Sequence, residues 1–110
     1  MSTISVKAGS DLRRTGSVSF DVTIDARDAR KIKTPPAVQI LAYQSGAVVW
    51  ATAGYADRTF ALGGQSGSSG DGTPFGWLTG GAHCHVDLYG FAQNGSQVIL
   101  SGVDFDATDA

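Results

Sequence analysis

The segment Ser17-Val18-Ser19-Phe20-Asp21-Val22-Thr23-Ile24-Asp25 decides the fold class. Its even positions from 18 to 24 are all apolar, and the positions between them are all Ser, Asp or Thr. A period of two is typical of a β-strand that buries one face and exposes the other to water. The segment therefore predicts an amphipathic strand packed on a hydrophobic core.

Further short strands follow along the chain, and no segment predicts a helix of any length. Two apolar runs around Gln44-Ser45-Gly46 predict a hairpin, and Asn94-Gly95 predicts a second one with a type I′ turn. A change of apolar phase at Gly102 predicts a β-bulge in the last strand. Residues 26–33 precede two prolines and predict an irregular crossover, in which Asp25 caps one helical turn at most. The predicted strands cover residues 3–7, 17–25, 37–43, 47–52, 57–62, 84–91 and 97–105.

Composition fits one small β-rich domain over residues 1–110. The chain has 42% hydrophobic residues and 15 glycines but only three prolines, which suits short strands joined by tight turns. Half of the residues from 63 to 74 are Gly or Pro, so we expect a flexible Gly/Ser loop there. The net charge of −2 gives no basic field for nucleic acid, and we predict neither nucleic-acid binding nor a cofactor.

Cys84 is the single cysteine, so the domain has no internal disulfide and must be held by packing. The first residues lack the pattern of a signal peptide, and no apolar stretch is long enough for a membrane span. We therefore expect a soluble chain made in the cytosol, without membrane association.

The strand pattern, the inward Cys84 on the penultimate strand and the Asn94-Gly95 hairpin resemble immunoglobulin-like domains, which recur on tailed-phage virion proteins. The resemblance covers nearly the whole chain and implies an all-β, two-sheet antiparallel sandwich of about seven strands. It also implies that strands 37–43 and 84–91 are neighbours in one sheet. An eight-stranded jelly roll is the alternative fold.

The chain departs from the family pattern at three places. Phe20 or Val22 stands where a partner cysteine would lie, and the usual aromatic is displaced to Trp50. Tyr89 follows Cys84 instead of preceding it, so the resemblance carries over no tyrosine corner.

His83, His85 and Asp87 are the strongest candidates for chemistry. Alternate residues of a strand share one face, so two imidazoles and a carboxylate would lie in a row that suits zinc or a similar ion. The alternative, which we favour, is a solvated polar face without a metal. Cys84 points the opposite way, so we expect a buried, inert thiol and predict no catalytic residue.

Acidic residues near the C-terminus offer a second, weaker ion site. Asp104, Asp106 and Asp109 would bind calcium weakly, or they form a fraying acidic tail, which is the more common meaning of such a run.

Aromatic and apolar residues exceed what the core needs and predict an outward patch on the sheet that contains strands 37–43 and 84–91. Such a patch indicates an interface, unless loop 63–78 folds back and covers it. The candidate interface residues are Leu41, Tyr43, Trp50, Phe75, Trp77, Tyr89 and Phe91.

These observations predict a structural or interaction module that binds protein subunits of an assembly or copies of itself. The phage resemblance implies a capsid-decoration or tail component located on the virion; a chain not encoded by a phage would be cytoplasmic. The alternative is a carbohydrate-binding module that uses Trp50, Trp77 and Tyr55, and an enzyme is the third option.

Overall fold

The chain is mostly β, as predicted. A computed structural model describes residues 1–63 and 76–110 in full, and between them the backbone of two short strands. The elements are β1 (Thr3–Val6), β2 (Ser17–Val18), β3 (Phe20–Thr23), α1 (Ala26–Ala29), β4 (Ala37–Gln44), β5 (Ala47–Tyr55), β6 (Phe60–Ala61), β7 (Ser66–Ser68), β8 (Pro74–Gly76), β9 (Ala82–Phe91) and β10 (Gln97–Ala107).

Four long strands form the main sheet, in the order β10-β9-β4-β5, and each strand is antiparallel to the strands beside it. The shorter strands pair as β1 with β3, β2 with β6, and β7 with β8. The pairing of β4 with β9 confirms that the predicted strands 37–43 and 84–91 are neighbours.

The amphipathic segment 17–25 is split at Ser19 into β2 and β3. Its phase is as predicted, because Val18 and Phe20 are buried. The amide of Ser19 donates to the hydroxyl of Ser10, and its carbonyl accepts from the amide of Lys7. β2, before this break, therefore pairs with β6, and β3, after it, pairs with β1.

The type I′ turn lies at the other hairpin from the one predicted. Ser45 and Gly46 both have positive φ, 53° and 80°, as a type I′ turn requires. At Asn94-Gly95 only the glycine has positive φ, and its amide donates to the carbonyl of Ala92. That geometry is a type I turn followed by a left-handed glycine, so the type I′ prediction for this turn is wrong.

Two bulges interrupt the main sheet. The predicted bulge in β10 is present, but it lies between Ile99 and Ser101 and not at Gly102, which pairs regularly with Asp87. A second register shift, opposite the bond between Ala42 and Tyr43, was not foreseen.

The inward residues of the main sheet and those of β1, β2, β3 and β6 form one hydrophobic cluster. Cys84 is fully buried in it as a free thiol, as predicted. Trp50 and Trp77 also lie in it, with ring centroids 6.0 Å apart.

The crossover contains the single helical turn that its sequence allows. The carboxylate of Asp25 caps α1 by accepting from the amide of Asp28 at 2.7 Å. In the described part of the chain, no helix has both the length and the apolar character needed to cross a bilayer.

The stretch predicted as a Gly/Ser loop is partly strand, since it contains β7, which pairs with β8 at the end of the stretch. The flexibility expected of segment 63–74 otherwise lies outside the described residues.

Candidate interaction surface

The side of the main sheet that faces away from the core, termed here the outer face, collects most of the predicted interface residues. The register aligns the outward residues of β4 and β9 in rows, since strands side by side share the phase of their pleat. The paired residues are Tyr43 with His83, Leu41 with His85, Gln39 with Asp87, and Ala37 with Tyr89.

Leu41, Tyr43, Tyr89 and Phe91 all lie on the outer face, as predicted. The first three are half-buried, and Phe91 is 40% exposed. Phe91 packs edge-on against Tyr89, with ring centroids 5.7 Å apart and an interplanar angle of 86°. Four of the seven candidate residues therefore lie on one accessible side of the sheet.

Trp50 and Trp77 are not on this surface, which corrects their assignment as interface residues. Trp50 pairs with the buried Ala42 and is only 3% exposed. Trp77 is fully buried, and its indole N–H donates to the carbonyl of Gly80 at 2.7 Å. Strand 47–52 is apolar at nearly every position, so its sequence does not show which side Trp50 faces.

Phe75 lies outside the residues whose side chains the structure describes. Trp77 packs into the core on the opposite side of the sheet, so this residue of loop 63–78 does not cover the patch.

Three exposed apolar residues of the outer face are not among the predicted interface residues, although one of them, Tyr55, is a candidate of the carbohydrate-binding alternative. Val48 and Tyr55 lie on β5 and are 43% and 49% exposed, and Ile99 on β10 is 53% exposed. Tyr55 was not assigned to the sheet because β5 continues three residues past its predicted end. Ile99 was missed because the bulge that reverses the phase of β10 follows it directly.

Polar residues fill the outer face at its other corner, where β9 pairs with β10. His83 contacts Asp106 through Nδ1 at 2.8 Å and Asp104 through Nε2 at 3.4 Å. His85 contacts Asp104 through Nδ1 at 2.5 Å and Asp87 through Nε2 at 2.9 Å. Each imidazole thus lies between two carboxylates, and Asp104 is shared; this set is termed the His–Asp ladder.

The carboxylates stabilise the charged form of both imidazoles. Hydrogen bonding to Asp106 raises the pKa of His83, and hydrogen bonding to Asp104 raises the pKa of His85. The same contact with His85 lowers the pKa of Asp104. The ladder is therefore an ion-pair network whose charge changes as the histidines titrate.

The ladder does not have the arrangement of a metal site. Within the described residues, no group of three or more His, Cys, Asp or Glu side chains is placed to hold an ion. The ring nitrogens of His83 and His85 contact carboxylates instead of converging on a common point.

The three aspartates near the C-terminus do not act together either. Asp104 and Asp106 belong to the ladder, while Asp109 pairs with Arg14 at 3.1 Å and accepts from the amide of Gly80. The calcium hypothesis thus lacks a common site among these side chains.

The thiol of Cys84 has the environment of a structural residue. It points to the core, away from the two neighbouring histidines, and burial raises its pKa to about 12. A thiol with that pKa has almost no thiolate at neutral pH and is a poor nucleophile.

Comparison with known proteins finds no matching family model, no similar curated protein and no similar solved structure.

Proposed function

We propose that this chain is a non-catalytic interaction domain that binds protein subunits, its own copies included, through the outer face. The observation that carries this proposal is the set of accessible apolar side chains on one side of the main sheet. They are Leu41, Tyr43, Val48, Tyr55, Tyr89, Phe91 and Ile99. Monomeric proteins seldom expose contiguous apolar patches of more than a few hundred Å².

The size of the outer face suits an interface. Four strands of about nine residues span roughly 19 Å by 30 Å, or about 600 Å². Burial of that face on two partners removes roughly 1,200 Å² from water, which is the lower end of the range for stable complexes.

The fold that we propose for this domain is an immunoglobulin-like sandwich. The order β10-β9-β4-β5 in one layer, with β1, β3, β2 and β6 as the other, supports it. By analogy with immunoglobulin-like domains of tailed-phage virions, the assembly that we propose is a virion, in which the chain decorates the capsid or forms part of the tail.

A non-catalytic role is supported by the state of the reactive side chains. The Cys84 thiol is buried, and the imidazoles of His83 and His85 are each held between carboxylates on an open face. Neither arrangement pairs a nucleophile with a base inside a cleft, as covalent catalysis requires.

Carbohydrate binding is the weaker proposal, because it loses two of its three aromatic residues. Trp50 and Trp77 are buried, and only Tyr55 stays accessible. The edge-on packing of Tyr89 and Phe91 also offers no flat platform of coplanar rings for a sugar.

Sedimentation velocity over a concentration series tests the main proposal. We expect the wild-type chain to form a reversible oligomer, and Leu41→Asp to sediment as a monomer because it places a charge at the centre of the outer face. Leu78→Asp is the matched control, since Leu78 is 56% exposed but lies outside the main sheet. It should associate like the wild type.

A chain that stays monomeric at millimolar concentration and is retained on insoluble polysaccharide would contradict the proposal. Equal association of the Leu41→Asp and Leu78→Asp variants would show that another surface is used.

A further inference from the structure

A slot crosses the aromatic corner of the outer face, over β4. Its floor includes the small residue Ala37, which pairs with Tyr55 of β5 on one side and Tyr89 of β9 on the other. The two tyrosines therefore stand two strand spacings apart, roughly 10 Å between their backbones. That separation leaves room for one ring or a flat aliphatic group between two aromatic walls.

The slot is an open cavity of about 410 Å³. Ala53 and Gly54 extend its floor along β5, and Pro35 and Phe91 line its end. The slot runs along β4 from Pro35 to the level of Ala53, a distance of roughly four residues or about 13 Å. About four residues of a polyproline II helix have the same length.

Arg58 supplies the charge at the rim. Its guanidinium carbon lies 5.1 Å from the ring centroid of Tyr55, and the side chain is exposed. Among the described residues, no carboxylate forms an ion pair with it. A cation held on an aromatic wall favours an anionic group in a ligand.

We infer that this slot binds an extended, proline-rich peptide that carries an acidic residue beside its prolines. The proline rings would enter between Tyr55 and Tyr89, and the acidic side chain would pair with Arg58. Aromatic-lined grooves recognise polyproline II segments in this way because the segment is already extended and loses little entropy on binding. The inference rests on the proposed interaction role and names a partner class for one corner of the same face.

The composition of the slot favours this peptide over other ligands. A sugar is bound through many hydrogen bonds, whereas the lining of the slot is mostly apolar apart from Arg58, the two tyrosine hydroxyls and the Thr34 hydroxyl, which accepts a hydrogen bond from the amide of Phe91 at 2.9 Å. The guanidinium of Arg58 would repel a cationic guest such as a methylated lysine. What remains is a largely apolar site with one fixed cation.

Isothermal titration calorimetry with three synthetic twelve-residue peptides tests the inference. The first has a Pro-Pro-Ala-Pro core followed by Asp, the second has Lys in place of that Asp, and the third has Ala in place of every proline. We expect the first to bind most tightly, the second about fivefold more weakly, and the third not measurably.

Variants of the chain assign the binding to the slot. Tyr55→Ala and Tyr89→Ala should each weaken binding of the first peptide roughly tenfold. Arg58→Gln should weaken binding of the first peptide, slightly strengthen binding of the second because the repulsion of its Lys is removed, and so abolish the preference for the first. Leu78→Ala, at an exposed residue outside the main sheet, is the matched control and should bind like the wild type, and NMR spectra check that each variant is folded.

Three results would overturn the inference: no binding of the first peptide, equal binding of the third, or full binding by both tyrosine variants. An anionic oligosaccharide that binds with the same dependence on Tyr55 and Tyr89, in place of the peptide, would also overturn it and favour a sugar site. A monomeric wild type that binds the peptide would refute self-association alone, whereas an oligomer that ignores the peptide would refute the slot alone.

Discussion

The side chain of Ile32, from the crossover, fills the space in which a side chain at position 90 would lie, and this position is a glycine. A Cβ at Gly90 would lie 2.7 Å to 2.9 Å from three carbon atoms of Ile32. Both residues are buried, and the three atoms include the Cβ of Ile32, so a rotation at the tip of that side chain would not relieve the clash. This contact holds residues 30–34 against the end of β9, beside the aromatic corner of the outer face.

Gly90→Ala should therefore lower the free energy of unfolding by about 1–3 kcal/mol, the usual cost of overpacking a core. Urea denaturation measures this change. The double variant Gly90→Ala with Ile32→Ala should lose less than the sum of the two single variants, because truncation of Ile32 removes the clash. Strict additivity would show that the two side chains do not meet.

The His–Asp ladder makes a second prediction at the scale of single residues. Its histidines have a higher pKa in the folded chain than the ordinary 6.5, so they contribute stability that is fully present below pH 6.5. That contribution is lost as the pH rises through the folded pKa values. Asp104 has a pKa below its ordinary 3.8, so its contribution is present above that pH and is lost as the pH falls through the lowered value.

Asp104→Asn should lower the pKa of both histidines toward 6.5, because both contact this carboxylate. Titration of the imidazole protons by NMR measures the two values. Asp21→Asn, at an exposed position of β3, should change neither. Histidines that titrate at or below 6.5 in the wild type would contradict the ladder.

At the scale of elements, the turn between β4 and β5 sets the register of the hairpin that these two strands form. Ser45 is the one described non-glycine residue with positive φ, at 53°. Asparagine adopts this conformation more readily than serine, and β-branched residues adopt it least readily.

Ser45→Asn should raise the free energy of unfolding by roughly 0.5 kcal/mol, and Ser45→Val should lower it by about 1–2 kcal/mol. Thermal and urea unfolding of the three proteins measure the order. A valine variant as stable as the wild type would mean that the turn has another geometry.

Periodicity predicted the elements well where one face of a strand is buried. The alternation at Val18 and Phe20 and at Cys84 and Val86 marks the core side correctly, because a period of two leaves no choice of face. It could not assign Trp50, since nearly every residue around it is apolar. It also could not place the bulge before Ser101, because bulge position depends on pairing with β9 and not on β10 alone.

At the scale of the whole molecule, the outer face divides into two chemically different corners. The His–Asp ladder lies where β9 meets β10, and the aromatic slot lies around Tyr55 and Tyr89. Leu41 and Tyr43 lie on β4 directly beside His85 and His83 of the ladder, and Gln39 separates them along β4 from Ala37 of the slot. The prediction of this part rested on the alternating phase of each strand and on the resemblance to immunoglobulin-like domains, which implies that β4 and β9 are neighbours. The slot could not be predicted from the sequence, because its position depends on the registers of β4 with β5 and of β4 with β9 together.

Concentration-dependent NMR is the most direct test of the outer face as a docking surface. Amide ¹H–¹⁵N spectra recorded from about 20 µM to 1 mM should show shifts confined to outward residues of β4, β5 and β9, with Leu41 and Tyr43 among the largest. β1 and β3 should stay unchanged. Shifts that concentrate on β1 and β3, or spectra that do not change at all, would contradict the account.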